Sequence, residues 1–294
     1  MRAIGLLTRR NLRLFFRDRA AVFFSLLSAL ILIALYALFL GNLQVENLNE
    51  RLPGASADDI LWFVNTWVFA GITMITTLTT GLAALSVFVE DNATGRFRDF
   101  LVSPVRRTGL VLGYFLSSFI VSVVMSLLIV VVGQLYVLTR GSPTMTVAQI
   151  AEVVAWVALS GAAYAAFSSF VVTFLRSAGA FAALSTVVGT VIGFLAGAYI
   201  PVGTLPSGVV NVLNALPFAH SAMLLRGPYM AEAMDAVTDG PGQAEAVAAL
   251  SDFYGLTASV GAVEITEGIA SGVLVAVLVL FAALGAWRLS RRIR

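Results

Sequence analysis

The chain of 294 residues contains no cysteine, which removes disulfides, thiolate metal sites and cysteine nucleophiles together. Lysine is missing as well, since all 18 basic residues are arginine. A phosphate-cradling P-loop needs its lysine and a Schiff-base enzyme needs its amine, so both chemistries are excluded. His220 is the only histidine, which leaves no cluster from which to build a His-ligated metal site. Charge of either sign is scarce, at 12% of residues against about 25% in an ordinary soluble domain. An ordinary cytosolic enzyme is therefore ruled out. The formal net charge is only +2 despite a pI of 9.2, and no nucleic-acid partner is expected.

Apolar residues fill that space, at 59% of the chain. A bilayer-spanning helix needs about 20 mostly apolar residues, and six runs qualify: 20–40, 60–89, 109–138, 148–175, 178–200 and 269–288. The arginines fix the expected orientation. With the N-terminus inside, six spans return the C-terminus to the same side, and only Arg51, Arg140 and Arg226 fall outside. The positive-inside rule favours that arrangement. Residues 1–19 read as an amphipathic helix in the inner headgroup layer, with Arg2, Arg9, Arg10, Arg13 and Arg17 on one side. Ile4, Leu7, Leu12, Leu14, Phe15 and Phe16 cover most of the other side, and Leu6 does not fit the pattern. The first run lacks a small-residue cleavage signature and follows a long arginine-rich lead, so a cleaved signal peptide is not expected.

Residues 201–268 form the long outer segment. Its first part, 201–229, is apolar and interrupted by Pro206, Pro217 and Pro228, the pattern of short helices dipping back into the outer leaflet. Its second part, 230–268, is acidic and reads as a small outer cap.

The inner loop at 90–108 carries the most information. It runs Glu90-Asp91-Asn92-Ala93-Thr94-Gly95, then Arg96-Phe97-Arg98-Asp99-Phe100-Leu101, then Ser103-Pro104 and the basic pair Arg106-Arg107. This order resembles the signature of type-2 ATP-binding-cassette (ABC-2) exporter permeases: acidic residues, glycine, a short amphipathic helix, Ser/Thr-Pro, a basic pair. Leu216-Pro217-Phe218-Ala219-His220 followed by Arg226 looks like the family's segment before the last span. Two positions depart: Arg98 stands where the family often has an acid, which follows at Asp99, and Ala93 replaces a second acid.

The resemblance implies one all-α integral membrane domain over residues 1–294. It has six transmembrane helices, an N-terminal amphipathic interfacial helix, a cytoplasmic coupling helix and an outer re-entrant hairpin before the last span. It implies a permease subunit without its own catalytic site, in the bacterial cytoplasmic membrane. A separate nucleotide-binding ATPase subunit would hold the ATP and Mg. A second copy or a related permease completes the dimer, its first and fifth spans at the interface. The residues that meet the ATPase would be Gly95, Phe97, Arg98, Phe100, Leu101 and Pro104.

From the residues alone, Phe97, Phe100 and Leu101 stand at i, i+3 and i+4 and form an apolar ridge. Proline at 104 ends that helix by biasing Ser103 away from helical geometry. The ridge needs a cover: a partner's groove, or the lipid headgroup layer.

Polar stripes lie inside the spans: Thr66, Thr73, Thr77 and Thr80 in the second, and Ser118, Ser122, Ser126 and Gln134 in the third. The fourth carries Glu152, Ser160, Tyr164 and Ser168. Thr73, Thr77, Thr80, Ser118, Ser122 and Ser126 are the candidate translocation path, and hydrogen bonding between helices is the alternative. Gly189, Gly193 and Gly197 repeat at four-residue spacing in the fifth span, allowing close helix approach between two copies or within one chain.

The expected function is export of a lipophilic drug, lipid, peptide or similar cargo, with polysaccharide or lipid-linked glycan as the alternative. A secondary transporter would show midplane ionisable residues or paired repeats, and neither is evident. A non-transporting membrane scaffold remains a further reading.

Overall fold

The computed structural model describes residues 2–96, 107–240 and 242–292. Helix α1 (Arg2–Arg17) stops because Asp18 leaves helical geometry, with φ −85° and ψ 91°. The Asp18 carboxylate then accepts from the Ala21 N–H at 3.0 Å and starts the next helix. The chain continues as α2 (Arg19–Ser25), α3 (Leu27–Leu35), a π-helical turn at Tyr36–Leu40 and α4 (Gly41–Arg51). The first run, expected over 20–40, thus extends as helix to Arg51. Residues 41–51 are too polar to read as membrane-spanning. They stay helical because Gln44 and Leu48, one turn apart, are buried against the core.

Helix α5 (Ala57–Ala84) is the axis of the molecule. Ser56 caps it by accepting from the Asp59 N–H at 3.1 Å, and Asp58 and Asp59 sit at the positive end of its dipole. Trp62, Phe63, Trp67, Ile72, Met74 and Ile75 are all buried along it. A break at Leu85 leads to α6 (Ser86–Ala93). Helix α7 (Arg107–Thr139) returns alongside α5, and α8 (Val147–Val172) opens on a capping box formed by Thr146 and Gln149. Ser177 caps α9 (Ala178–Leu195). That helix ends five residues short of the expected 200. Gly197 takes φ +58°, and the Ala198 and Tyr199 N–H groups both turn back to the Gly193 carbonyl at 2.8 and 3.2 Å.

The outer segment differs most from expectation. Helix α10 (Ser207–Asn214) is short, and α11 (Pro217–Thr238) leaves it at an angle of 87°. Pro217 occupies the first turn of α11, where its missing N–H costs nothing. Pro228, expected to interrupt the chain, lies inside this continuous helix. An interior proline opposes helix by about 3 kcal/mol. Burial of Met223, Leu224, Tyr229, Met230 and Met234 along the same helix opposes that cost.

The expected cap therefore begins too early, because Met230, Ala233, Met234 and Val237 stand at i, i+3, i+4 and i+7 and are buried in the core. The cap proper is α12 (Gln243–Tyr254) and a two-stranded hairpin, Ser259–Val260 with Val263–Glu264. Helix α13 (Glu267–Arg292) closes the chain.

Six described helical stretches are long and apolar enough to cross a membrane: Leu27–Arg51, Ala57–Ala93, Gly109–Thr139, Val147–Val172, Ala178–Leu195 and Glu267–Arg288. The protein is an all-α, multi-pass membrane protein. Helix α1, the end of α6, the start of α7 and the α8–α9 turn gather at one end, which is rich in arginine. The cap gathers at the other.

Candidate functional site

At the arginine-rich end, one buried carboxylate joins three elements. Asp91, near the end of α6, is 1% exposed. Arg10 of α1 reaches it with both guanidinium nitrogens, Nη1 to Oδ2 at 2.6 Å and Nη2 to Oδ1 at 2.8 Å. Tyr114, in the second turn of α7, donates its hydroxyl to Oδ2 at 2.7 Å. The fork-to-fork pairing of guanidinium and carboxylate fixes direction as well as distance. The bonds to Asp91 raise the Arg10 pKa above the ordinary arginine value, outweighing partial burial, so Arg10 stays charged at any physiological pH.

Weaker contacts surround this centre. Thr8 donates to the Gly113 carbonyl at 3.4 Å, and Asn11 donates to Ser117 at 3.4 Å. A side chain at Gly113 would strike Leu7, so the glycine is what lets α1 lie close on α7. The docking face of α1 is thus Leu7, Thr8, Asn11 and Phe15, all buried, while Leu6, Leu14 and Phe16 on other faces are exposed. Asn92 ties α6 to the α8–α9 turn through the Leu175 carbonyl at 3.4 Å.

The inner loop leaves directly from this centre. Gly95 follows α6 with φ +78°, a left-handed geometry that favours glycine. Arg96 lies 3.5 Å from Glu90 and 3.7 Å from Asp91. Phe97, Arg98, Phe100, Leu101 and Pro104, the other expected coupling residues, lie outside the described residues.

The polar stripes meet one another at the α5–α7 interface. Ser118 donates to the Gly81 carbonyl at 2.6 Å and Ser122 to the Thr77 carbonyl at 2.6 Å. Thr73 bonds the Tyr229 hydroxyl at 2.9 Å, while Thr77 and Thr80 donate to their own helix at Met74 and Thr76. The Ser126 hydroxyl is buried without a partner among the described residues. All six side chains are essentially inaccessible, and three of them, Thr73, Ser118 and Ser122, bond across to another helix. Ser160 likewise accepts from Ser221 at 2.6 Å, and the exposed Glu152 accepts from the half-buried Trp156 ring N–H at 3.1 Å.

The three glycines of α9 and its end face their own chain. A side chain at Gly189 would meet Ser28 of α3, one at Gly193 the Tyr199 ring, and one at Gly197 Val202.

At the capped end a second arginine holds helices together. Arg226 of α11 is 2% exposed, with Nη2 donating to the Ala196 and Gly197 carbonyls at 3.0 and 2.7 Å. Its Nη1 donates to the Gly255 carbonyl at 3.1 Å. Those carbonyls terminate α9 and α12, the negative ends of two helix dipoles. The Trp67 ring lies 5.6 Å from the guanidinium carbon and donates its own N–H to the Tyr254 carbonyl at 3.0 Å. His220 donates its Nε2–H to the Asn214 carbonyl, 2.8 Å away, and serves the turn between α10 and α11.

Sequence reasoning used Arg10 only as part of the amphipathic lead and a topological charge, quoted Asp91 and Arg226 within the family-like segments without giving them a role, and did not single out Tyr114. The available signal was an acid at 91 in a chain with few inner acids. Nothing local in the sequence pairs it with Arg10, 81 residues earlier.

A search of curated proteins finds no match. The family model for the ABC-2 type transporter matches residues 2–230, from α1 through the buried centre and Arg226 into α11. With that match covering most of the chain and six membrane-spanning helices behind it, the protein belongs to the ABC-2 type transporter family, as a membrane-spanning permease component of an ABC transporter.

Proposed function

We propose that this chain is the permease subunit of an ATP-driven exporter whose motion enters at the arginine-rich end and is carried by the Arg10–Asp91–Tyr114 centre. The arginine-rich end, with both termini, faces the cytoplasm of a bacterial cell, in keeping with the positive-inside rule. A separate ABC ATPase subunit holds ATP and Mg and docks on the Phe97–Phe100–Leu101 ridge. A movement of the 90–108 loop passes to α1 and α7 together, because Asp91 is bonded to both. That shared carboxylate is the observation that carries the proposal.

Two copies, or this chain and a related permease, make the working unit. The exposed stripe Val187, Val191 and Phe194 on α9, with Ile31, Leu38 and Phe39 of the first span, supports an apolar interface there. The cargo class that fits apolar walls is a lipophilic drug, lipid or peptide. Of the six candidate path residues, Thr73, Ser118 and Ser122 already bond a neighbouring helix.

Burying a large apolar side chain contributes roughly 1.5–3 kcal/mol. Replacing Phe97 and Phe100 together with alanine therefore lowers copurification of the ATPase at least tenfold while the protein still inserts. Normal copurification and normal ATP hydrolysis by that variant would place the ridge in the headgroup layer and end this reading of the loop.

A further inference from the structure

A cavity of about 260 Å³ lies at the arginine-rich end, among the start of α7, the ends of α8 and α13, and Leu85 and Phe88 at and after the α5–α6 break. Its walls come from α7 (Val111, Tyr114), α8 (Ala166, Ser169) and α13 (Phe281, Gly285). It is smaller than the roughly 300–1,000 Å³ of sites for drug-sized molecules, and suits one narrow apolar chain. Leu112 and Ala282 on its lining are exposed, so it reaches the surface that the spans present to lipid.

One turn beyond Gly285, about 4.5 Å along α13, stands Arg288. Its guanidinium carbon lies over the Phe174 ring, 3.5 Å from the centroid, and its buried Nε has no hydrogen-bond partner among the described residues. Arg176 is exposed in the neighbouring α8–α9 turn. An apolar slot in the spans thus ends in cationic side chains at the level where headgroups begin.

We propose that this cavity binds one acyl chain of an anionic phospholipid, with the phosphate held at Arg288. The site is separate from the candidate path along α5 and does not depend on the identity of the cargo. It also touches the charged centre, since Tyr114 lines the cavity and bonds Asp91. A bound lipid would pack against the ring that positions the carboxylate.

Two variants separate the apolar and charged parts. At Gly285 an added Cβ meets nothing within 4 Å, and leucine has the better helix propensity. Gly285→Leu therefore starts its side chain in open space and takes up room in the slot. Arg288→Gln removes the charge and keeps much of the length.

The experiment is native mass spectrometry of the full chain, titrated with phosphatidylglycerol or phosphatidylcholine. The wild type retains one tightly bound phosphatidylglycerol per chain in preference to phosphatidylcholine. Gly285→Leu loses the tight binding of both lipids. Arg288→Gln still binds lipid, with the preference for phosphatidylglycerol reduced about fivefold. Retention of the bound lipid by Gly285→Leu, or of the full preference by Arg288→Gln, overturns the proposal. So does displacement of the lipid by soluble glycerol phosphate, which lacks an acyl chain. Should Gly285→Leu fail to fold, the preference measured for Arg288→Gln decides the matter.

Discussion

The two ends of the molecule each use an arginine to hold helices together, and they use it differently. At the capped end Arg226 is 2% exposed and bonds only backbone carbonyls, at the termini of two helices. At the other end the Arg10 side chain is 31% exposed and bonds a carboxylate side chain, which a tyrosine also holds. A carbonyl at a helix terminus moves only if the helix moves. A carboxylate on a short helix can shift with the loop that follows it. The capped end is built as an anchor and the arginine-rich end as a joint.

The largest effect belongs to the anchor. Arg226→Gln removes the cation that two helix termini share and leaves carbonyls that one amide cannot serve. Each unsatisfied buried group costs about 1–3 kcal/mol, so the variant loses about 3 kcal/mol or more. Thermal unfolding in nanodiscs should show a much lower transition or little folded protein. Arg226→Lys should recover little, since one ammonium group lacks the planar fork. A near-normal transition for either variant would remove the distinction between anchor and joint.

The joint should tolerate more. In Asp91→Asn the amide oxygen still accepts a bond, and the partly exposed Arg10 regains water. The expected loss is about 1–2 kcal/mol, smaller than at Arg226 in the same unfolding assay. A larger loss than for Arg226→Gln would invert the comparison. Between the ends, Ser122→Ala removes one interhelical bond and should cost about 0.6 kcal/mol. A marked transport defect without a stability change would instead restore the serines as a path.

These differences also mark what could be read from the sequence. Composition and run length place five of the six spans closely, because the hydrocarbon thickness sets a length that apolar residues must fill. The exception is residues 41–51, whose helix is held by tertiary burial of Gln44 and Leu48 and not by apolar content. Pro228 misled for the same reason: local propensity argues for a break and packing around α11 overrides it. The stretch 230–238 carried a helical apolar period that its acidic residues concealed.

The glycine repeat was legible as a close-approach device but not as to what approaches, since Ser28 lies 161 residues from Gly189. The joint was half legible. The loop signature marks position 91 as acidic, whereas its partners Arg10 and Tyr114 come from elements that only the fold brings together.

The central claim is that ATP-driven movement passes through Asp91 into the spans. The chain has no native cysteine, so Asn47→Cys and Val147→Cys, both on exposed sites away from the arginine-rich end, can carry a spin-label pair without background. The distance between the labels is measured in the complex with its copurified ABC ATPase, without nucleotide and then trapped with ATP, Mg and vanadate. The account predicts a nucleotide-dependent shift with Asp91 in place, and loss of that shift in Asp91→Asn although the ATPase still copurifies. The same shift in both backgrounds would contradict it.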